Sequence, residues 1–233
     1  MISKPLLPPT MATLGSILPQ YGEFRFDRTL EAARRDISDE ADLAYPAHAV
    51  RLRKWLNQWT CRIGYPKAGE ADVFVGSLAR WWVDVKDMLP AEHLRLAQLA
   101  DAQLQSLGHA YAELYRRPAA VSRAGTIRSV GPTAAAKLLY FVRPLAVTAW
   151  DKAISARTGG GDDEAAFLRH LTACRSWAQD LEAEAEGLGL KPSEIGPSFN
   201  RPVSSVAKLI DEWLYATITG GLGPMRPERE LTA

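Results

Sequence analysis

Cysteine is nearly absent from this 233-residue chain: Cys61 and Cys174 are the only two, far apart and outside any Cys-x-x-Cys pairing. That usage supports neither a disulfide framework nor a zinc or iron–sulfur site, so neither metal nor cofactor is expected. His48, His93, His109 and His170 are scattered, without the His-Glu-x-x-His spacing that metal chemistry uses. Long hydrophobic runs are missing as well. No stretch approaches the roughly 20 apolar residues of a membrane helix. Met1 to Gln20 is interrupted by Pro5, Pro8, Pro9 and Pro19, which suits neither a signal peptide nor a membrane anchor. The cytoplasm is the expected compartment, with no membrane partner. Extended runs of alternating polar and apolar residues, the mark of strands, are also missing.

What the chain does have is helical periodicity. With 47% hydrophobic residues it is long enough for one sizeable core, or for two small helical lobes sharing an interface. The pattern predicts an all-α protein, with helices near 26–43, 47–63, 70–89, 91–116, 119–128, 132–142, 152–158, 163–187 and 202–218. Pro46, Pro90, Pro118, Pro132 and Pro202 fall near helix starts, where a missing amide N–H costs little, and Gly159-Gly160-Gly161 ends a segment. Residues 1–24 read as an extended N-terminal segment and 25–219 as the helical domain. Residues 220–233, with a Gly-Gly pair, two prolines and no apolar period, read as a disordered tail. No internal repeat is present, and a monomer is expected.

Acidic residues are scarce in one part of the chain. From Arg116 to Arg157 the bases Arg116, Arg117, Arg123, Arg128, Lys137, Arg143, Lys152 and Arg157 face the single acid Asp151, a net of +7. The formal net charge of the whole chain is +1, so the remainder carries −6. An ordinary solvated face mixes both signs, whereas a phosphate-binding surface does not. DNA is therefore the expected partner. Elsewhere, Trp55 and Trp59 lie four apart on one helical face with Leu52, Leu56 and Ile63, a pattern of core packing. An indole lining a base-binding cavity is the competing role for one or two of the seven tryptophans.

The stretch Thr126 to Ile154, TIRSVGPTAAAKLLYFVRPLAVTAWDKAI, holds the chemistry. Ser129-Val130-Gly131-Pro132 reads as a tight turn between two helices, a hairpin spanning about 119–142. Gly131 admits a backbone conformation that other residues resist, and Pro132 suits a first helical position. Amide N–H groups at such a helix start approach a phosphate closely, helped by the helix dipole. Asp151 follows Gly131 by twenty residues and opens Lys152-Ala153-Ile154, where an aspartate caps free backbone N–H groups.

This combination resembles the helix-hairpin-helix DNA glycosylase superfamily, in which a Gly-Val-Gly hairpin is followed at the same fixed distance by an aspartate. Val130-Gly131 matches the end of that hairpin, Asp151 matches the acid, and Ala134, Ala135 and Ala136 resemble the close-packed start of the second helix. The match covers about thirty residues. It implies two helical lobes flanking a cleft, a base flipped out of the duplex, and Asp151 as the catalytic carboxylate. Ser129 stands where the family has its first hairpin glycine. Thr133 stands where backbone-cutting members carry a Schiff-base lysine, and a hydroxyl cannot form an imine. The resemblance thus implies a monofunctional glycosylase that hydrolyses the base–sugar bond and leaves an abasic site, without lyase activity. Arg128, Val130, Gly131 and Thr133 are the expected DNA-backbone contacts. Trp150, Asp211, Gln58 and Trp59 are the expected base-pocket residues, Asp211 as an acceptor from base N–H groups. Base-excision repair and defence against modified foreign DNA, such as that of phage, both suit this chemistry. The alternatives are a non-catalytic helix-hairpin-helix DNA-binding module and a helical interaction protein with no nucleic-acid partner.

Overall fold

Apolar residues spaced three and four apart need a partner surface, and in this chain they find it in one another. In the computed structural model, buried apolar side chains from all ten described α-helices join in one continuous cluster. The structure describes residues 6–21, 25–37, 42–122 and 124–221, apart from the side chains of Tyr21 and of residues 25–28. The predicted disordered tail lies outside the described residues from 222 onward. Among the described residues the secondary structure is helical except for one short ribbon. No described helix is long and apolar enough to cross a membrane.

The first helix, α1 (Met11–Tyr21), occupies residues expected to be extended. Leu14, Ile17 and Leu18 form a single face that is almost wholly buried, and Thr10 closes the start by accepting the Thr13 amide at 3.1 Å. Burial of that face, at about 1.5–3 kcal/mol per large aliphatic side chain, outweighs the cost of Pro19 within the helix. Helix α2 (Arg25–Ile37) is shorter than the predicted 26–43, and residues 38–41 are outside the described set. Helix α3 (Pro46–Gln58) starts on its proline. Asp72 caps α4 (Val73–Val85), accepting the Val75 amide. Helix α5 (Asp101–Tyr115) follows a short 3-10 turn.

The main correction falls between α5 and α6. Residues 119–128 are not a helix: Pro118–Val121 (β1) and Ile127–Ser129 (β2) pair as an antiparallel ribbon with Ala120 opposite Arg128 and Val121 opposite Ile127. Val121, Thr126 and Ile127 are β-branched and favour strands. The turn between them closes through Gly125, at φ +78°, and through the Ser122 amide donating to Thr126 O at 2.8 Å. Helix α6 (Pro132–Val142) then runs over the predicted span.

Helix α7 (Lys152–Ile154) is one turn that continues into a π-helical turn through Gly159. Gly159 is required by packing, because a Cβ there would sit 2.7 Å from Ala166 O and 3.0 Å from the Trp150 ring. Helix α8 (Glu164–Gly187) is the long central element, capped by Asp163 and buried along Phe167, Leu171, Cys174, Ala178 and Leu181. The short α9 (Pro192–Ser198) has no counterpart in the predicted helices. Helix α10 (Val206–Leu214) begins on a Ser205 cap and ends in a π-helical turn, Tyr215–Thr219. Its residues from Val206 to Leu214 are all buried, charged ones included.

Candidate functional site

The α6 start is built by three backbone facts. Gly131 sits at φ 80°, ψ 161°, a region essentially restricted to glycine. Its amide donates to Tyr115 O at 3.0 Å and the Val130 amide donates to Arg117 O at 2.8 Å. These bonds join the end of α5 to the start of α6, but the element that leads into the turn at Gly131 is strand β2, so the two-helix hairpin expected over 119–142 is replaced by the ribbon followed by α6. They also correct the expected phosphate contacts. The Val130 and Gly131 N–H groups are engaged within the protein, and the Val130 side chain is buried. No side chain caps α6, and Pro132 has no N–H. The amides at this helix start without an intrahelical partner are therefore those of Thr133 and Ala134. Arg128 is exposed on β2, and Thr133 is half-buried.

Asp151 stands on the segment that leads out of this region. One carboxylate oxygen, Oδ1, accepts the amides of Ala153 at 2.8 Å and Ile154 at 2.9 Å. The other, Oδ2, accepts the hydroxyl of Thr219 at 2.8 Å. All three donors are neutral, no ion pair reaches Asp151 among the described residues, and the side chain is partly exposed. Behind it the Trp150 indole donates to Pro132 O at 3.4 Å, tying the aspartate segment to the α6 start. Such a carboxylate is fixed in direction, keeps lone pairs on Oδ2, and is neutralised by no neighbour. It is suited to stabilising positive charge that develops next to it.

Trp150 itself does not face a pocket. It is 1% exposed and packs edge-on against Tyr111 and Phe167, with His170 beside it. An indole after an apolar run belongs to the core, and its partners arrive from α5 and α8. His170 braces the same segment: its Nε2–H donates to Thr148 O at 3.1 Å, and Nδ1 lies 2.8 Å from the Thr158 hydroxyl. Complete burial disfavours the imidazolium and brings its pKa down to about 4. Burial likewise pushes the neighbouring Cys174 thiol up.

The other expected pocket residues divide. Asp211 is buried, and its Oδ2 accepts from Lys208 Nζ at 2.6 Å. The Lys208 ammonium lies 5.3 Å from the Trp59 ring and 5.9 Å from Tyr140. Lys137 reaches the same indole from α6, 5.0 Å from the ring, and donates to Trp59 O at 3.0 Å. The structure thus brings Trp59 and Asp211 together, through a lysine that the sequence did not single out. Gln58 is separate, exposed at a hollow of about 140 Å3 with Arg51 and Lys54 on its wall. Two larger cavities, of about 470 and 490 Å3, lie between the ribbon and the loop after α3 and around Arg95 and Val203; Asp151 lines neither.

Thr219 was missed as well. It is 68 residues from Asp151 and one residue beyond the predicted end of the last helix. No local pattern marks it, since only the packing of the turn after α10 against α7 brings it to the acid. Among the described residues no group of histidine, cysteine and carboxylate side chains is placed to hold a metal. Compared with protein-family models, with curated proteins and with solved structures, the chain matches none.

Proposed function

We propose that this chain is a monofunctional DNA N-glycosylase with a helix-hairpin-helix type of fold, and that Asp151 is its catalytic carboxylate. The observation that carries the reading is the state of Asp151: fixed by two amides and a hydroxyl, without a cationic partner among the described residues, and tied through Trp150 to the uncapped start of α6. The largely acid-free basic run from Arg116 to Arg157 supports a phosphate partner.

In this mechanism the base is turned out of the duplex, and the bond between its nitrogen and the sugar C1′ breaks with the electron pair leaving on the base, which takes up a proton. The sugar is left with oxocarbenium character, and Asp151 Oδ2 faces that positive charge. Water adds to C1′ and gives up its proton, and an abasic site remains. Thr133, in the first turn of α6, supplies no amine, so the strand is not cut. Removal of damaged bases in excision repair and removal of modified bases from foreign DNA use the same chemistry. A mass-spectrometric survey of bases released from varied DNA separates the two.

The test is base release from a panel of damaged and modified duplexes, followed by alkali to reveal abasic sites. Release by the parent chain, its loss in Asp151→Asn, and no borohydride-trapped protein–DNA adduct are the expected results. The second reading is a DNA-binding module without base chemistry, favoured by the absence of Asp151 from the walls of the two larger cavities. It predicts salt-sensitive duplex binding with no base released from any member of the panel.

A further inference from the structure

Of the ten large apolar side chains exposed among the described residues, three belong to one patch: Tyr65 at 62%, Val121 at 53% and Ile127 at 64%. Val121 and Ile127 are direct partners across the two strands of the ribbon, so they project from the same face. Tyr65, on the loop after α3, shares a hollow with Ala120 and Val121. That loop is shaped to lie flush on the ribbon. Thr60 and Arg62 hold positive φ values of 62° and 55°, and the Asn57 side chain bonds both the N–H and the carbonyl of Ile63. A Cβ at Gly64 would come within 3.1 Å of Ala120 Cβ.

The rim of the patch is cationic. Arg62 and Arg128 line the adjoining cavity of about 470 Å3 together with Val121 and Ser122, and neither has an ion-pair partner among the described residues. Glu70 and Asp72, which line the hollow that Tyr65 shares with the ribbon, are already engaged by Lys67 at 3.5 Å and Arg53 at 2.7 Å. No acid occurs from Arg116 to Trp150. An exposed apolar pair on a two-stranded ribbon, flanked by unpaired arginines, has the chemistry of an element that presses apolar groups into a nucleic-acid groove while guanidinium groups hold the phosphates alongside.

We propose that the β1–β2 ribbon is a second duplex-binding element: Val121 and Ile127 wedge into the minor groove, and Arg62 and Arg128 bind the flanking phosphates. This inference rests on the chain being a DNA-binding protein, and it adds a contact surface beyond the α6 start. The test uses the full chain and a 2-aminopurine-labelled duplex, and measures affinity across a salt series together with the fluorescence that reports unstacking. Val121→Thr/Ile127→Thr keeps the β-branched shape while removing the apolar tips. It is expected to weaken binding about tenfold, to abolish the fluorescence rise and to leave the salt slope unchanged. Arg62→Ala and Arg128→Ala should each lower the salt slope by about one. Ribbon variants that bind and unstack like the parent overturn the ribbon assignment alone. A parent chain that fails to bind duplex even at low salt overturns the DNA-binding reading and the ribbon with it. A parent dimer that the double threonine variant splits assigns the patch to a second copy of the chain and overturns the proposal.

Discussion

Asp151 and Asp211 are held in opposite ways. Asp211 lies in the middle of α10, buried, with the Lys208 ammonium at 2.6 Å. Asp151 opens a helical turn at the surface, and its bonds come from two amides and a threonine hydroxyl. The first carboxylate is neutralised where it sits, and its charge is used inside the fold. The second is oriented without being neutralised, so its charge is available to something outside. The charge of the donors, rather than their number, separates the two.

The comparison breaks most sharply at Asp151 itself. Asp151→Asn keeps an N-cap acceptor, so its stability should stay within about 1 kcal/mol of the parent. Base release should fall by about a thousandfold, about 4 kcal/mol in the barrier. Equal release rates in single-turnover assays would remove Asp151 from the mechanism. The reverse pattern is expected of Lys208→Met, which removes the ammonium 2.6 Å from a buried carboxylate and should cost roughly 3 kcal/mol in urea unfolding. Adding Asp211→Leu should recover much of that loss, because the pair is then gone as a unit. A single variant as stable as the parent would mean that the pair is not desolvated.

Smaller effects sharpen how the Asp151 segment is held. His170 is neutral in the fold, with its pKa brought down from 6.5 to about 4 by burial. The unfolded chain therefore binds more protons between those values, and stability falls as the pH drops from about 6.5 to about 4. The loss should reach roughly 3 kcal/mol, and unfolding curves of His170→Asn should show a shallower decline over that window. Gly131→Ala meets open space, with nothing within 4 Å of the added carbon, so any cost is conformational. About 2 kcal/mol is expected from the glycine-only backbone region, with duplex affinity reduced at the same time. Thr219→Val removes one bond from Asp151 Oδ2. It should lower base release about tenfold while changing the unfolding midpoint little, which separates orienting the carboxylate from folding the chain.

The legible parts of the molecule were those whose cause is local. Helix α6 could be read because Pro132 starts it and because Ala134 to Val142 carry a buried helical face. The Asp151 cap could be read because an aspartate before Lys152-Ala153-Ile154 needs only its own backbone to act. The ribbon at 118–129 was misread as a helix because four basic and small residues hide a pattern too short to show a period of two. What outweighs it is pairing across a Ser122–Gly125 turn. Helix α1 was hidden by Pro19 and by the prolines ahead of it, since its stability comes from partners on α8 and α10 rather than from its own composition.

By itself the sequence determined a mostly helical chain, the polarised charge, the glycine at the start of α6 and the aspartate twenty residues beyond it. Each of these follows from composition or from contacts within a few residues. Only the tertiary structure decided which carboxylate meets a cation and which meets neutral donors among the described residues, because Lys208 and Asp211 close on each other inside a packed helix while Thr219 reaches Asp151 across 68 residues. It also decided that Trp150 belongs to the core and that the ribbon carries its apolar pair outward. Burial and long-range hydrogen bonding depend on which surfaces meet, and residues far apart in a chain do not announce that meeting.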